Sequence, residues 1–90
     1  MKFSDLNFRP HTNYPDTGVA ARKFFPNGYG VSVVRFPGSY GYENGLYEVA
    51  ILRGTEDDYD LCYNSPITDD VLGHREELDV ENIIQEVKSL

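Results

Sequence analysis

Residues 19–36, VAARKFFPNGYGVSVVRF, decide the fold because they hold two β-rich runs around one turn signal. The runs 19–26 and 29–36 are rich in β-branched and aromatic side chains, and Asn27 and Gly28 separate them. Asn-Gly accepts positive φ at both positions of a two-residue turn, which suits the twist of paired strands. The sequence therefore predicts an antiparallel β-hairpin.

The position of this turn also predicts the register of the hairpin. With Asn27 and Gly28 as the two turn residues, the cross-strand partners are expected to be Phe24 with Val31 and Arg22 with Val33. Neither resulting face is uniformly polar, so both faces of the hairpin are expected to be at least partly covered.

Further strands are predicted on both sides of the hairpin. Residues 46–53, LYEVAILR, alternate as a third strand, and residues 59–64 form a short fourth one. Four strands with short connections predict an antiparallel meander. Residues 1–18 are broken by Pro10 and Pro15 and are expected to be irregular, with room for a fifth, N-terminal strand.

The C-terminal residues predict turns followed by a helix. Thr68 is predicted to cap a single helical turn through Leu72, which Gly73 stops. Asp79 is the predicted N-cap of a longer helix. Apolar residues in that helix recur at i, i+3, i+4 and i+7, at Val80, Ile83, Ile84 and Val87. The predicted fold class is α+β, a small antiparallel meander packed by a C-terminal helix.

The length of 90 residues predicts a single domain, 1–90, because two domains would each be too small to hold a core. Its segments are the irregular 1–18, the meander 19–64, and the turn and helix 65–90. The lone cysteine, Cys62, allows no internal disulfide. No apolar run reaches the length of a signal peptide or membrane helix, so a cytoplasmic protein is expected.

The net charge of −7 is unevenly distributed along the chain. Residues 1–53 carry six basic and four acidic groups, a balance of +2, whereas residues 54–90 carry two basic and eleven acidic groups, a balance of −9. Nucleic-acid binders normally carry a basic excess. Direct nucleic-acid binding is therefore disfavoured, although the N-terminal half could present a local basic patch.

Candidate catalytic, metal and phosphate sites fail on residue spacing. Cys62 with His11 or His74 lacks the local signature of a nucleophile and its base. The acidic run 56–60 lacks the glycine and glutamate positions of a calcium loop. The glycine-rich loop 37–45 lacks the Lys-Ser/Thr of a phosphate-binding loop. We therefore expect no catalytic residues, no metal, no cofactor and no enzyme activity.

Two surfaces are predicted to bind a partner. The first centres on the loop 37–45, PGSYGYENG, whose composition is typical of adaptable binding loops. Its predicted residues are Tyr40, Tyr42, Glu43, Tyr29, Tyr47, Arg35 and Arg53, with the last four expected to flank the loop or lie at strand ends. The alternative is a loop whose tyrosines fold back onto the sheet.

The second surface is acidic and comprises Glu56, Asp57, Asp58, Asp60, Asp69, Asp70, Glu76 and Glu77.

Three stretches carry a family resemblance: FFPNGYGVSV at 24–33, GLYEVAIL at 45–52 and LCYNSPITDDVLG at 61–73. Together they resemble a group of short, uncharacterised proteins encoded by tailed bacteriophages and prophages, over most of residues 22–90. The resemblance brings no catalytic residues and implies an accessory phage protein made inside a bacterial cell. Small acidic phage proteins are often inhibitors of host machinery, including anti-CRISPR and other anti-defence proteins.

The leading functional prediction is a stoichiometric inhibitor of a host defence protein. Its acidic surface is expected to occupy a basic, nucleic-acid-binding surface of the target, because opposite charges speed encounter. One alternative is a sponge that sequesters a nucleotide signal with the Tyr/Arg surface. Another is a self-assembling structural component of the virion, and the hairpin edges leave a homodimer open. No membrane contact is expected.

Overall fold

The computed structural model describes residues 2–65, 67 and 71–90, which form an α+β fold with an antiparallel sheet and one helix. The elements are β1 (Arg9–Pro10), β2 (Val19–Phe24), β3 (Tyr29–Arg35), β4 (Tyr47–Thr55), β5 (Asp58–Leu61), β6 (Leu72–Arg75) and α1 (Glu77–Lys88). Short 3-10 turns occupy Phe3–Asp5 and Tyr42–Asn44. The predicted fold class is confirmed.

Strands β1 to β5 follow one another across the sheet as the predicted meander, with β1 as the fifth strand. Strand β6 was not predicted, and it pairs with β4. Leu72 and Gly73 therefore lie in a strand, and the prediction that they end a helical turn is wrong. The predicted cap of that turn, Thr68, lies outside the described residues.

Strands β5 and β6 form one interrupted edge strand along β4. Strand β5 pairs with the second half of β4, and the Cys62 N–H then donates to the Ile51 carbonyl at 2.8 Å. Further along the same edge, Leu72 lies opposite Val49. Strand β6 thus continues along the same edge of β4 in the same direction as β5.

The β2–β3 hairpin forms as predicted, but its register differs by one residue. The observed pairs are Phe24–Gly30 and Arg22–Ser32, instead of the predicted Phe24–Val31 and Arg22–Val33. Directly opposed residues of an antiparallel pair share a face, so a shift of one residue exchanges the faces of one strand relative to the other. Arg22 and Phe24 consequently lie on the face away from the helix.

Pro26 explains this one-residue shift in the register of the hairpin. A two-residue turn closes with a hydrogen bond from the residue before it, and Pro26 has no N–H to donate. The closing pair moves to Phe25 and Tyr29, with the Phe25 N–H donating to the Tyr29 carbonyl at 2.8 Å. The loop then has three residues, and Gly28 takes the left-handed position with φ 85°.

The core lies between α1 and one face of the sheet. The predicted helical stripe is confirmed, because Val80, Ile83, Ile84 and Val87 are all buried. They pack in one cluster with the central strand residues Val31, Val33, Val49 and Ile51. Burying this apolar surface is the main favourable term that holds the fold together.

Both ends of α1 are held by polar contacts. The helix begins at Glu77, earlier than predicted, and Glu76 rather than Asp79 is its N-cap. Asp79 is the third helical residue, and its carboxylate accepts a hydrogen bond from the Glu76 N–H at 3.2 Å. At the other end, the side chain of Asn27 donates to the carbonyl of Val87 at 2.9 Å. Among the described residues, no helix has both the length and the apolar character needed to span a bilayer.

Candidate functional site

The loop 37–45, called the tyrosine loop below, is held in shape by its own hydrogen bonds. Ser39 is only 8% exposed, and its hydroxyl both accepts from the Phe36 N–H at 3.0 Å and donates to the Phe36 carbonyl at 2.8 Å. At the far end, the Leu46 N–H donates to the Gly41 carbonyl at 2.9 Å. A loop ordered before binding loses less conformational entropy when a partner arrives.

The tyrosine loop is docked on β6. The His74 N–H donates to the Tyr40 carbonyl at 3.3 Å, and the two rings stack with centroids 6.3 Å apart. A Cβ on Gly73 would lie 2.6 Å from the Cβ of Tyr40, so glycine is needed for this approach. The backbone of Tyr40 therefore rests on the sheet, as the fold-back alternative expects, while its side chain remains 62% exposed.

His74 has a left-handed backbone, with φ 54°, the one such case among the described non-glycine residues. Histidine is among the few residues enriched in this conformation, and strained positions of this kind cluster at binding and catalytic sites. Sequence reasoning did not place His74 on the tyrosine-loop surface, because β6 itself was not predicted.

A depression of about 440 Å³ opens above the tyrosine loop. Its lining residues are Pro37, Gly38, Ser39, Tyr40, Gly41, Tyr42, Glu43, Asn44 and His74. The lining offers aromatic rings, one carboxylate and one side-chain amide, which are groups that recognise a polar or cationic side chain. No group of three or more His, Cys, Asp or Glu side chains is arranged to hold a metal ion in the described part of the chain.

The predicted Tyr/Arg surface is divided between two ends of the sheet. The Arg35 guanidinium lies 5.3 Å from the ring centroid of Tyr47, close to the tyrosine loop. The Arg53 guanidinium lies 4.5 Å from the ring of Tyr29, with which it pairs across β3 and β4. Tyr29 is six residues from Arg35 on β3, a distance of about 20 Å. Tyr29 therefore does not flank the tyrosine loop, contrary to the prediction, and Arg53 lies beside Tyr29 near the far end of β4.

A third cation–π pair lies on the face of the sheet away from α1. The Arg22 guanidinium is 5.2 Å from the ring centroid of Tyr59, and the Phe24 ring contacts the same tyrosine at 5.2 Å. Sequence reasoning missed this pair because it placed the strands one residue out of register. The pair depends on Gly30, since a Cβ there would lie 2.6 Å from the Phe24 ring.

The acidic residues border one edge of the sheet. Six of the eight predicted residues are described, and all are exposed: Glu56, Asp57, Asp58, Asp60, Glu76 and Glu77. Asp69 and Asp70 lie outside the described residues. Because β5 and β6 follow the same side of β4, these carboxylates extend from the β4–β5 turn to the start of α1. We call these carboxylates the acidic edge. They border β4, whose nine residues span about 26 Å.

The opposite edge of the sheet is basic. Arg9 on β1 and Arg22 and Lys23 on β2 are all exposed. The two charge types are not fully separated, because the Arg22 guanidinium reaches Tyr59 on β5, and Arg22 and Lys23 line one depression together with Glu56.

The lone cysteine is part of the core. Cys62 is buried, and its thiol donates to the side-chain oxygen of Asn64 at 3.2 Å. His74 instead packs on Tyr40, and His11 packs on the ring of Phe36 at 4.5 Å. The structure thus gives each of these three residues a packing or hydrogen-bonding role in the fold.

The fold and these surfaces define a small α+β protein with an ordered tyrosine loop, an acidic edge and a basic edge. No protein-family model, curated protein or solved structure matches the chain.

Proposed function

We propose that this protein is a phage-encoded stoichiometric inhibitor, of the anti-CRISPR or another anti-defence type. It binds a host defence protein and occupies a basic surface that would otherwise hold nucleic acid. The phage setting rests on the family resemblance of residues 24–33, 45–52 and 61–73. The observation that supports the mechanism is the acidic edge, where one group of exposed carboxylates lies at the β4–β5 turn and on β5 and a second lies at the start of α1.

The charge of these carboxylates suits a target that binds a polyanion. A nucleic-acid backbone presents regularly spaced negative charges, and its receptors meet them with lysine and arginine. Several exposed carboxylates on one rigid edge can engage several such cations at once. Attraction between the two surfaces raises the association rate more than the final affinity, and salt weakens it.

The acidic edge acts through its side chains rather than by adding a strand. Charged residues on edge strands oppose pairing with another sheet, because each new strand would bring further charge alongside them. Asp58 and Asp60 take this place on β5. The same feature gives little support to the alternative of a self-assembling virion component.

The nucleotide-sponge alternative also has less support than the inhibitor. Its expected Tyr/Arg surface is split between the two ends of β3, and Arg35 and Arg53 each already lie over a tyrosine ring. A thermal-shift screen against cyclic and modified nucleotides would test it directly, because a ligand that binds only the native state raises the melting temperature.

The inhibitor proposal is tested by capture from a bacterial lysate with two matched variants. The variant D57N/D58N removes two charges from the acidic edge, and the control D16N/E86Q removes two exposed charges from elsewhere. We expect the wild type and the control to retain a basic protein that excess DNA or RNA displaces. Capture by D57N/D58N should be weaker, and all capture should fall steeply between about 50 and 500 mM salt. Salt-insensitive capture, or equal loss in both variants, would contradict the proposal.

A further inference from the structure

We infer that the depression above the tyrosine loop is a receptor for one arginine side chain of the bound partner. This inference rests on the proposed function, since it assumes a protein partner with a basic surface. It adds a specific contact to the general attraction of the acidic edge. The depression is separate from the β4–β5 turn, because the tyrosine loop lies at the other end of β4.

The lining of the depression matches the chemistry of a guanidinium group. The planar cation stacks on aromatic faces and donates several hydrogen bonds to carboxylate and amide oxygens. Tyr40 and Tyr42 supply rings, Glu43 supplies a carboxylate, and Asn44 supplies an amide oxygen. A lysine ammonium is more strongly hydrated and lacks the flat face, so arginine is the better fit.

The chain already uses this contact within its own fold. Three of its arginines lie over tyrosine rings, with guanidinium-to-centroid distances of 5.2, 5.3 and 4.5 Å. Those pairs use Tyr59, Tyr47 and Tyr29. By contrast, in the part of the chain that the structure describes, no arginine lies over Tyr40 or Tyr42. The rings of the tyrosine loop are therefore available to an arginine from another molecule.

The local charge favours a cation in this depression. Glu43 is its only acidic or basic lining residue apart from His74, and it is exposed. The two arginines that are close along the chain are directed elsewhere. Arg35 lies over Tyr47, and Arg75 lies opposite Tyr47 on the side of the sheet that carries the core.

The shape of the depression is fixed before binding. The hydrogen bonds of Ser39 order one side of the tyrosine loop, and the contact between Tyr40 and His74 orders the other. An arginine that enters an ordered site must lose only its own rotamer freedom. The affinity for a single arginine in isolation is expected to be weak, in the millimolar range, because cation–π contacts at exposed sites are small.

The test is a titration of the ¹⁵N-labelled protein with N-acetyl-arginine amide, followed by NMR. Saturable shifts are expected at the amides of residues 38–44 and of His74. The matched control ligand is N-acetyl-citrulline amide, which has nearly the same shape without the charge, and it should produce no saturable shifts there. N-acetyl-lysine amide should bind more weakly than the arginine compound.

Amino-acid substitutions test whether the arginine compound binds in the depression above the tyrosine loop. Tyr40→Ala and Glu43→Gln should each lower the affinity for the arginine compound by roughly 2- to 5-fold. The controls are Tyr63→Ala, which removes another exposed ring, and Glu56→Gln, which removes another exposed carboxylate; neither should change it. Equal shifts with citrulline, shifts spread over all acidic residues, or no saturable shift at all would overturn the inference.

The two proposals fail in different ways. If the depression binds the arginine compound but the protein captures no basic partner, the inhibitor function fails and the arginine site stands. If capture depends on Asp57 and Asp58 but is unchanged in Tyr40→Ala, the inhibitor function stands and the arginine site plays no part in it.

Discussion

At the scale of single residues, Asn27 connects the hairpin to the helix. Its amide nitrogen donates to the carbonyls of Val87, Lys88 and Leu90 at 2.9, 3.3 and 3.2 Å. Its side-chain oxygen accepts from the Tyr29 N–H at 3.0 Å. The last carbonyls of a helix have no partner within the helix, so this side chain meets a need that α1 cannot meet itself.

Replacement of Asn27 with Ala is therefore expected to destabilise the protein by about 1–2 kcal/mol. The loss comes from the broken hydrogen bonds between the hairpin and the helix end, although the Val87 carbonyl still accepts from the Leu90 N–H at 3.2 Å. Urea denaturation followed by circular dichroism measures it. The control is Asn13→Ala, an exposed turn residue, which should change stability by less than about 0.5 kcal/mol. Equal stability of the two variants would show that Asn27 has no capping role.

Asn27 and Pro26 also show where prediction from sequence stopped. The Asn-Gly pair correctly indicated a hairpin, because its tolerance of positive φ is a local property. The length of the turn depended on whether Pro26 could donate a hydrogen bond. The pattern of β-rich runs carries no information about that. The contact of Asn27 with α1 joins residues about sixty positions apart, and nothing local to either segment predicts it.

At the scale of elements, α1 shows how far the helical period decides burial. Ile84 is fully buried in the predicted stripe, whereas Leu78 on the same helix is 66% exposed. Ile84→Ala is expected to cost about 2–5 kcal/mol, because it removes buried methyl groups and leaves a cavity. Leu78→Ala should change stability by less than about 0.5 kcal/mol, and urea denaturation compares them. Similar losses would mean that α1 does not pack as described.

The docking of the tyrosine loop on β6 is a second element-scale contact. Gly73→Ala would place a methyl group 2.6 Å from the Cβ of Tyr40 and is expected to push the loop away. The hydrogen bond from the His74 N–H to Tyr40 should then open more often. Hydrogen exchange at the His74 amide, measured by NMR, should become faster.

Gly38→Ala is the matched control for this prediction. Gly38 lies in the same loop with φ 101°, and a Cβ there would meet no atom within 4 Å. The substitution strains the backbone without pressing on β6, so exchange at His74 should stay close to wild type. If Gly38→Ala accelerates exchange as much as Gly73→Ala, the loop as a whole is unstable and the contact at Gly73 is not what holds it.

Strand β6 was beyond sequence-based prediction for a physical reason. Its residues, LGHR, have neither the alternation nor the β-branched side chains of a strand, and they pair with β4 through an irregular register. Pairing with an existing edge, rather than intrinsic preference, makes this segment extended. The depression above the tyrosine loop is completed by His74, so the candidate site was only half visible in the sequence.

At the scale of the whole molecule, the charge imbalance of the sequence indicated where acidic side chains gather on the surface. The sequence did not indicate which tyrosine and arginine side chains lie beside the tyrosine loop. The described acidic residues, Glu56, Asp57, Asp58, Asp60, Glu76 and Glu77, border the same side of β4 because β5 and β6 both pair with that side. Tyr29 was expected to flank the loop but lies at the opposite end of β3, because a strand of seven residues carries its ends about 20 Å apart. Composition predicts the sign of a surface, whereas register and strand length decide which residues meet.

The same imbalance predicts how stability responds to salt. Four carboxylates crowd the β4–β5 turn and β5, and the molecule as a whole carries a net charge of −7. Like charges held close in the folded state repel one another, and the unfolded chain separates them. The screening length falls from about 30 Å at 10 mM salt to under about 10 Å at 200 mM. Repulsion within this group should therefore weaken strongly over that range.

The melting temperature is expected to rise by several degrees between 10 and 200 mM NaCl, as calorimetry or circular dichroism can measure. The D57N/D58N variant should melt higher than the wild type at 10 mM and gain less from added salt, since part of the repulsion is already gone. The D16N/E86Q variant has the same net charge as D57N/D58N, but its changes lie outside this group of carboxylates. Its melting temperature should therefore respond to salt more like that of the wild type. A fall in melting temperature with salt would mean that attractions, such as that between Arg53 and the opposing Asp60, outweigh the repulsion. The acidic edge would then contribute to the stability of the fold, and a cationic partner would have no repulsion among its carboxylates to relieve.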